Sequence, residues 1–390
     1  MIALRLALFY VVCFLPIGIQ MPFWPVWLAF RGMGPAEIGI LLAATNVTRI
    51  FAGPAFAPFA DRAGRRKQFI VGTAAGALAA YLLFSFAEGF WPLLAVTVLA
   101  ALFSAAMFPL AESLTVLAVR THGLNYGRVR LWGSVSFMAT AILVGRALGA
   151  GVGEGLILTL MIGAFALTTA GSLGLPDMRT PPAQGAHAPL RLLLGSRPFA
   201  LFLIAASLLQ ASHAVYYGFS TLHWRSVGHP DEWIGAFWAE GVVAEIVLFA
   251  VAAQVAQRLG PARLLLLAAA GGVVRWVVLG ATDQWAAIVV VQALHAATFG
   301  ATHVAAMHFI ARAVPPDMVT TAQSLYFSLA AGGATALFMV ASGWLYEAFG
   351  PHAYFAMALA SAAGGAVALV LARLWREGVS LGGTTPGPGV

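Results

Sequence analysis

Long apolar runs dominate the chain, and short stretches rich in charged residues, proline and glycine separate them. A helix that crosses a bilayer needs about 20 apolar residues. Twelve runs approach or exceed that length, at residues 4–29, 36–60, 68–87, 91–119, 127–149, 154–175, 198–222, 232–257, 262–281, 285–312, 319–346 and 351–375. The pattern therefore predicts an all-α membrane protein with twelve transmembrane helices.

The loops between these runs differ in their content of lysine and arginine. If both termini lie on one side, that side holds 16 of the 21 basic residues, the other side holds 3, and 2 lie within spans. Short loops rich in lysine and arginine stay in the cytoplasm. We therefore expect both termini to be cytoplasmic.

Composition supports exposure to lipid and argues against several classes of function. Of the 390 residues, 61% are hydrophobic and 9% are charged, against about 25% charged in ordinary soluble domains. The net charge of +7 is spread as scattered residues between apolar runs, which does not favour a nucleic-acid surface. The one cysteine, Cys13, cannot form a disulfide framework, and we expect no metal site and no cofactor. HExxH, GxSxG and Walker-type motifs are absent, so we expect no enzymatic activity.

The two halves of the chain share a repeated pattern. Residues 37–39 and the loop at 60–67 have counterparts 196 residues later, at 233–235 and 256–263. Two related six-helix halves with a substrate site between them form a known transporter plan. We predict two pseudo-symmetric six-helix bundles, at 1–175 and 198–376. A cytoplasmic linker at 176–197 joins them, and a disordered tail follows at 377–390.

The loop after the second predicted helix carries a charge motif. It reads Asp61-Arg62-Ala63-Gly64-Arg65-Arg66-Lys67 and resembles the signature loop of the major facilitator superfamily. The resemblance implies the major facilitator fold. It also implies a charge network at helix ends that breaks and re-forms as the halves rock. We expect the conformational latch to consist of Asp61, Arg62, Gly64, Arg65 and Arg66.

Other stretches carry a narrower resemblance. They lie at residues 22–28, 126–134, 208–220, 241–245, 272–276 and 291–295. They resemble the oligosaccharide and nucleoside proton symporters and, within that branch, the 3-phenylpropionic acid transporter family. The resemblance implies proton-coupled symport by alternating access, with an aromatic carboxylate as the leading substrate.

Placing an ionisable side chain at the centre of a membrane helix costs about 2.5–3.5 kcal/mol of insertion free energy. Because of this cost, the ionisable residues inside the apolar runs are functional candidates. Glu245 lies about halfway along the eighth helix, where desolvation favours a protonated carboxyl. We expect it to carry the coupled proton, and a structural partnership with an arginine is the alternative. Glu240 lies roughly 140° around the same helix and is expected at a solvated cavity mouth.

Arg49 is the counterpart of Glu245 under the 196-residue repeat. Equivalent positions in pseudo-symmetric halves are expected to line opposite walls of one cavity. An arginine there can bind a carboxylate substrate through two parallel hydrogen bonds. The alternative is a permanent salt bridge with Glu245 or Glu112.

The resemblance also assigns roles to two pairs of residues. Glu112 and Arg130, 18 residues apart, match the pair that contacts sugar in the oligosaccharide symporters. Arg275 and His295 match positions that those symporters use in proton coupling and binding. Thr298 and Val242 stand where the symporters have carboxylates, so we expect a proton path rebuilt around Glu245. We assign proton coupling to Glu245, His295, Arg275 and Glu112, and substrate binding to Arg49 and Arg130.

Polar and aromatic residues on several helices complete the predicted binding site. His303 follows His295 by eight residues, about 80° around a regular helix, so the two histidines can share a face. Packing or structural hydrogen bonding is the alternative for every member of this set. Its members are Phe23, Trp24, Gln210, His213, Tyr216, Tyr217, Gln292 and His303.

The sequence thus predicts a monomeric secondary transporter in a bacterial-type inner membrane. Its partners are a small-molecule substrate, protons and the lipid bilayer, and a proton gradient supplies the energy. Symport of a neutral sugar or nucleoside is the alternative with the same mechanism. A membrane receptor that does not transport would have no use for intramembrane Glu and Arg at repeat-related positions.

Overall fold

The computed structural model describes residues 1–63, 65–178, 193–315 and 318–375, apart from the side chains of 53–55 and 57–63. Regular structure in these ranges is helical throughout. The predicted tail lies outside them, as does most of the predicted linker. The first six helices are α1 (Ile2–Phe30), α2 (Pro35–Ala63), α3 (Arg66–Leu83), α4 (Phe90–His122), α5 (Tyr126–Gly149) and α6 (Gly155–Leu173).

The later helices are more often interrupted. Two π-helical segments, Ala296–Gly300 and Tyr326–Ala334, and one 3-10 turn, Gly350–His352, lie among them. The α-helices are α7 (Arg197–Ala211), α8 (Ala214–Ser226), α9 (Asp231–Ala250), α10 (Ala252–Ala281), α11 (Trp285–Gln292), α12 (Ala301–Ala313), α13 (Val319–Leu325), α14 (Thr335–Phe349) and α15 (Ala353–Leu374).

Local sequence explains several helix ends. Gly123 ends α4 in the left-handed region with φ of 64°, which costs glycine no steric strain. Asn125 then caps α5, because its side-chain oxygen accepts a hydrogen bond from the Arg128 backbone N–H at 3.0 Å. Inside α10, Gly260 has φ of 70° and precedes Pro261. This range therefore contains the end of one helix and the start of the next.

Helix length and composition agree with a multi-pass membrane protein. In the described residues, 9 helical ranges are long and apolar enough to cross a bilayer. The last of them, Val319–Leu374, holds two helices because the turn at Gly350–His352 divides it. α2 and α3 lie outside these ranges and add two further helices. The predicted all-α membrane fold is confirmed, and the helices are consistent with twelve spans.

Contacts divide the chain into two compact units. The first contains α1–α6 together with Tyr217–Ala239, and the second contains the other described residues from 193 onward. In the first unit α1 packs against α5 and α6, and Trp24 stacks on Trp27 with ring centroids 4.6 Å apart. In the second unit α10 packs against α12 and α15, and Phe202 stacks on Phe309 at 4.3 Å. The predicted bundle boundaries remain predictions.

Candidate functional site

A buried arginine organises the polar interior of the second unit. Arg275 on α10 has 0% of its surface exposed. Its guanidinium donates hydrogen bonds to His295 Nδ1 at 3.0 Å, Thr298 Oγ1 at 3.2 Å and Gln292 Oε1 at 2.8 Å. A buried cation is costly unless hydrogen bonds replace its lost hydration. The structure therefore joins Arg275, His295 and Gln292, three residues that the sequence singled out.

Aromatic rings enclose the same guanidinium. Its central carbon lies 4.5 Å from the Tyr216 ring centroid and 4.8 Å from that of Trp276, within the range of cation–π attraction. Gln292 Nε2 donates to the Tyr216 hydroxyl at 2.8 Å. This second contact fixes the amide so that its oxygen faces Arg275.

His295 connects the arginine to Glu245. Because an arginine N–H can only donate, His295 Nδ1 accepts and the proton of the neutral ring lies on Nε2. His295 Nε2 is 3.8 Å from Glu245 Oε2, a separation that a small shift would close to a hydrogen bond. Protonation of both ring nitrogens would turn an N–H toward Arg275. The hydrogen bond from Arg275 therefore favours the neutral form of His295, with its Nε2–H directed toward Glu245.

Thr298 is a hub of this cluster that the sequence did not place in the site. The Nδ1 atom of His213 lies 3.1 Å from the Leu209 carbonyl oxygen, and carbonyls only accept, so Nδ1 carries the proton. His213 Nε2 then accepts from the Thr298 hydroxyl at 3.1 Å, while that hydroxyl accepts from Arg275. His213 thus supports the cluster from the break between α7 and α8.

The first unit contains its own ion pair, between Glu112 of α4 and Arg130 near the start of α5. Arg130 Nε donates to Glu112 Oε1 at 3.1 Å, and the Tyr126 hydroxyl donates to Glu112 Oε2 at 2.5 Å. The Arg130 guanidinium also lies over Phe14 at 4.3 Å and Tyr10 at 5.5 Å. Both oxygens of Glu112 are therefore occupied, and the spacing of 18 residues does bring this pair together.

Arg49 differs from the other intramembrane cations. It lies at the middle of α2, its side chain is exposed, and it makes no hydrogen bond or ion pair with the described residues of its unit. Glu112, one of its two predicted partners, is held by Arg130 and Tyr126. Within the first unit, an anion from outside the protein is therefore a suitable partner for Arg49.

The remaining predicted residues occupy varied surroundings. Phe23 and Trp24 are buried, with 0% and 3% exposure, and Trp24 packs against Tyr81 and Phe84. Gln210 donates to the Tyr326 hydroxyl at 2.9 Å, and Tyr217 stacks on Trp238 at 6.2 Å. These positions suit packing, and the predicted binding roles stay predictions.

Much of the predicted latch cannot be placed. Gly64 and the side chains of Asp61 and Arg62 lie outside the described residues. Arg65 precedes α3, and Arg66 is its first residue. In the described part of the chain, His, Cys, Asp and Glu side chains form no group suited to a metal ion.

A second ion network lies in the first unit, at the start of α6. Arg225 Nη2 is 2.9 Å from Glu154 Oε1, and Arg225 Nε is 2.9 Å from Asp231 Oδ1. A hydrogen bond from its own backbone and the bond from Arg225 hold the pKa of the Glu154 carboxyl below its usual range. Arg225 is one of the three basic residues that the sequence places on the non-cytoplasmic side, and nothing in the spacing of these residues indicates the contact.

The Glu154 interaction should stabilise the folded protein at neutral pH. A carboxyl with a lowered folded pKa contributes fully above its unfolded pKa, about 4.3, and its contribution is lost as pH falls through the folded value. Glu154→Gln should lower stability at pH 7 by about 0.2–1 kcal/mol, as for partly exposed pairs. Thermal unfolding in detergent across a pH series would measure the difference.

Glu88→Gln provides a matched control, because Glu88 is exposed in the loop before α4. The parent and this control should differ little at any pH. A stability difference for Glu154→Gln that stays constant down to strongly acidic pH would contradict the assignment.

Two glycines let α5 and α9 meet closely in the first unit. A side chain on Gly145 would collide with the Asp231 carbonyl oxygen, and one on Gly235 with the Ala141 carbonyl oxygen. Since the obstacles are backbone atoms, they cannot move aside as a flexible side chain can. The crossing therefore requires glycine at both positions.

Comparisons with known proteins agree with this architecture. The family model described as "MFS_1 like family" matches residues 3–357. The chain is 34% identical over 366 residues to a "Probable 3-phenylpropionic acid transporter" of Escherichia coli (strain K12), covering 91% of this chain and 94% of the relative. It is 28% identical over 375 residues to a "Maltose permease" of Geobacillus stearothermophilus, covering 94% and 93%.

Solved structures show the same fold. The crystal structure of the nucleoside transporter NupG matches with a TM-score of 0.80 at 15% identity, covering 96% of this chain and 100% of that chain. A bacterial homologue of the human lysosomal transporter Spinster, in an inward-facing and unoccupied conformation, matches with a TM-score of 0.72 at 14% identity, covering 95% and 96%.

Proposed function

Since the chain belongs to the MFS_1-like family and is a membrane transporter of the major facilitator type, we propose that it performs proton-coupled symport of a small aromatic carboxylate. It is not an enzyme. The proton gradient supplies the energy, so no cofactor is needed. We assign the protein to the inner membrane as a monomer with both termini in the cytoplasm.

The observation that carries the choice of substrate is Arg49. It is an exposed cation at the middle of a membrane helix, and no described carboxylate of its own unit pairs with it. A substrate carboxylate would satisfy the guanidinium through two parallel hydrogen bonds. The name of the 34% identical relative, a probable 3-phenylpropionic acid transporter, supports the same class of substrate.

The Glu245–His295–Arg275 chain supports proton coupling. Arg275 fixes the tautomer of His295, and the His295 Nε2–H then faces Glu245. An ionised Glu245 accepts this hydrogen bond as a charge-assisted bond, whereas a protonated Glu245 carries no charge and accepts it more weakly. Loss of a proton from Glu245 therefore changes both the charge and the hydrogen bonding of the cluster. This two-state response is what coupling to a conformational change requires.

A neutral sugar is the second candidate, and a separate observation favours it. Glu112 and Arg130 form the close pair that the sugar symporters' spacing predicts, and a maltose permease is among the relatives. The pair offers a carboxylate and a guanidinium to hydroxyl groups. Aromatic rings around Arg130 would cover the apolar face of a sugar ring.

Substitution of Arg49 separates the two candidates. Arg49→Gln should weaken binding of 3-phenylpropionate by roughly 10- to 150-fold, because a charge-assisted hydrogen-bonded pair contributes about 1.5–3 kcal/mol. Binding of the corresponding amide should change little, since it carries no negative charge. Affinities of the acid and the amide for purified parent and variant would provide the comparison.

The matched control is Arg146→Gln, which makes the same change at an exposed position of the same unit. It should leave the preference for acid over amide intact. If Arg49→Gln also retains that preference, the carboxylate proposal fails and the sugar reading takes its place. A fall in melting temperature without ligand would indicate a structural role for Arg49.

A further inference from the structure

Three phenylalanines converge on His303 in the second unit. Phe249 of α9 lies 6.1 Å from the His303 ring, Phe299 lies 6.5 Å away, and Phe327 of the second π segment lies 6.4 Å away, all between ring centroids. Phe249 and Phe327 remain 41% and 50% exposed. We call Phe249, Phe299, His303 and Phe327 the aromatic seat.

The aromatic seat continues the face that bears the proton-coupling pair. Phe249 is four residues after Glu245, and Phe299 is four residues after His295, so each lies one helical turn further along the same face. The ring centroids of His295 and Phe299 are 5.4 Å apart, with planes inclined by 7°. Ionisable side chains face the protein interior or a water-filled cavity rather than lipid. The exposed faces of the seat therefore belong to the polar side of the helices.

A π-helical segment brings the two histidines into line. In a regular helix eight residues make about 2.2 turns, which would leave His303 rotated away from His295. The segment Ala296–Gly300 lies between them and holds an extra residue in its turn. Along this helix the rings of Phe299 and His303 are inclined by 4°. His295, Phe299 and His303 form one stack.

We propose that the aromatic seat binds the aromatic ring of the transported substrate. Phenylalanine rings attract a further aromatic ring by offset stacking or edge-to-face contact. This attraction adds to the free energy gained from burying apolar surface. One turn beyond the seat, Gln323 Nε2 contacts Met307 Sδ at 3.9 Å, and this pair bounds the seat on the side away from Glu245. The proposal rests on the proposed function only in taking the ring to be part of a transported molecule.

The test compares two ligands that differ in the ring alone, 3-phenylpropionate and 3-cyclohexylpropionate. The purified parent should prefer the phenyl compound. Phe299→Leu, Phe249→Leu and Phe327→Leu should each reduce that preference by roughly 2- to 12-fold, because an aromatic pair contributes about 0.5–1.5 kcal/mol beyond area. Phe349→Leu, at a 61% exposed position of the same unit, should leave the preference unchanged.

The outcomes distinguish this proposal from the assignment of Arg49. If all three variants keep the parent's preference for the phenyl compound and melt near the parent's temperature, the proposal that the aromatic seat binds the substrate ring is wrong. A parent without any phenyl preference would overturn it as well. A parent that prefers the phenyl ring but binds acid and amide equally would keep the seat and reject the carboxylate proposal. Three separate variants protect the test against one that fails to fold.

Discussion

Replacing Glu245 with glutamine should abolish accumulation of substrate driven by a pH gradient. Glutamine keeps the size and the hydrogen-bonding ability of the side chain but can neither gain nor lose a proton. Exchange of substrate across the membrane should survive, because exchange requires no net proton movement. Proteoliposomes with an imposed pH gradient would show both results, through uphill uptake in one assay and counterflow in the other.

Glu240→Gln is the matched control, since it makes the same change five residues earlier on α9 and at a partly buried position. It should retain uphill uptake. Normal concentrative uptake by Glu245→Gln would remove Glu245 from the coupling mechanism. Loss of exchange together with uptake would show instead that Glu245 is needed for binding or folding.

Gly235→Leu should cause the next largest loss. The side chain would collide with backbone atoms of Ala141 and Ile142, so α5 and α9 could not keep their close crossing. Overpacking costs about 1–3 kcal/mol and occasionally more, which lowers the population of this arrangement roughly 5- to 150-fold. If transport passes through the arrangement, the initial rate of uptake should fall by a similar factor.

Gly163→Leu tests whether the loss is specific. Gly163 lies on α6, and a Cβ atom placed there has no neighbour within 4 Å apart from the adjoining residues and the backbone of its own helix. This variant should transport at the parent rate. Parent-like uptake by Gly235→Leu would show that the close crossing is not needed for turnover, and measured substrate affinity would separate slow turnover from weak binding.

The helical framework follows closely from the sequence, because long apolar runs leave little choice of structure in lipid. Some contacts were also predictable. The family resemblance singled out Arg275 and His295, Gln292 was among the polar candidates, and the structure joins all three. The resemblance to the oligosaccharide symporters pointed to Glu112 and Arg130 as a pair, and the structure shows their contact, although their functional roles remain predictions.

Other parts of the site could not be read from periodicity. Thr298 stands where the resembling symporters have a carboxylate, so the sequence indicated only that a proton-carrying group was missing. The structure shows that its hydroxyl connects Arg275 with His213. Phe249, Phe299 and Phe327 resemble any other apolar residue of a membrane helix until their neighbours are known. The sequence predicted that His303 and His295 can share a face, at an offset of about 80° in a regular helix, but it did not predict the π segment that lies between them.

The π segment at Ala296–Gly300 also sets a condition on chain length. A π turn corresponds to an α-helix with one inserted residue, so deletion of a single residue here would restore regular hydrogen bonding. Seven residues of regular helix span about 700°, within about 20° of two full turns, so His303 would stay close to the direction of His295. The spacing between His295 and His303 can therefore be seven residues in a regular helix, or eight when the extra residue is held in a π turn.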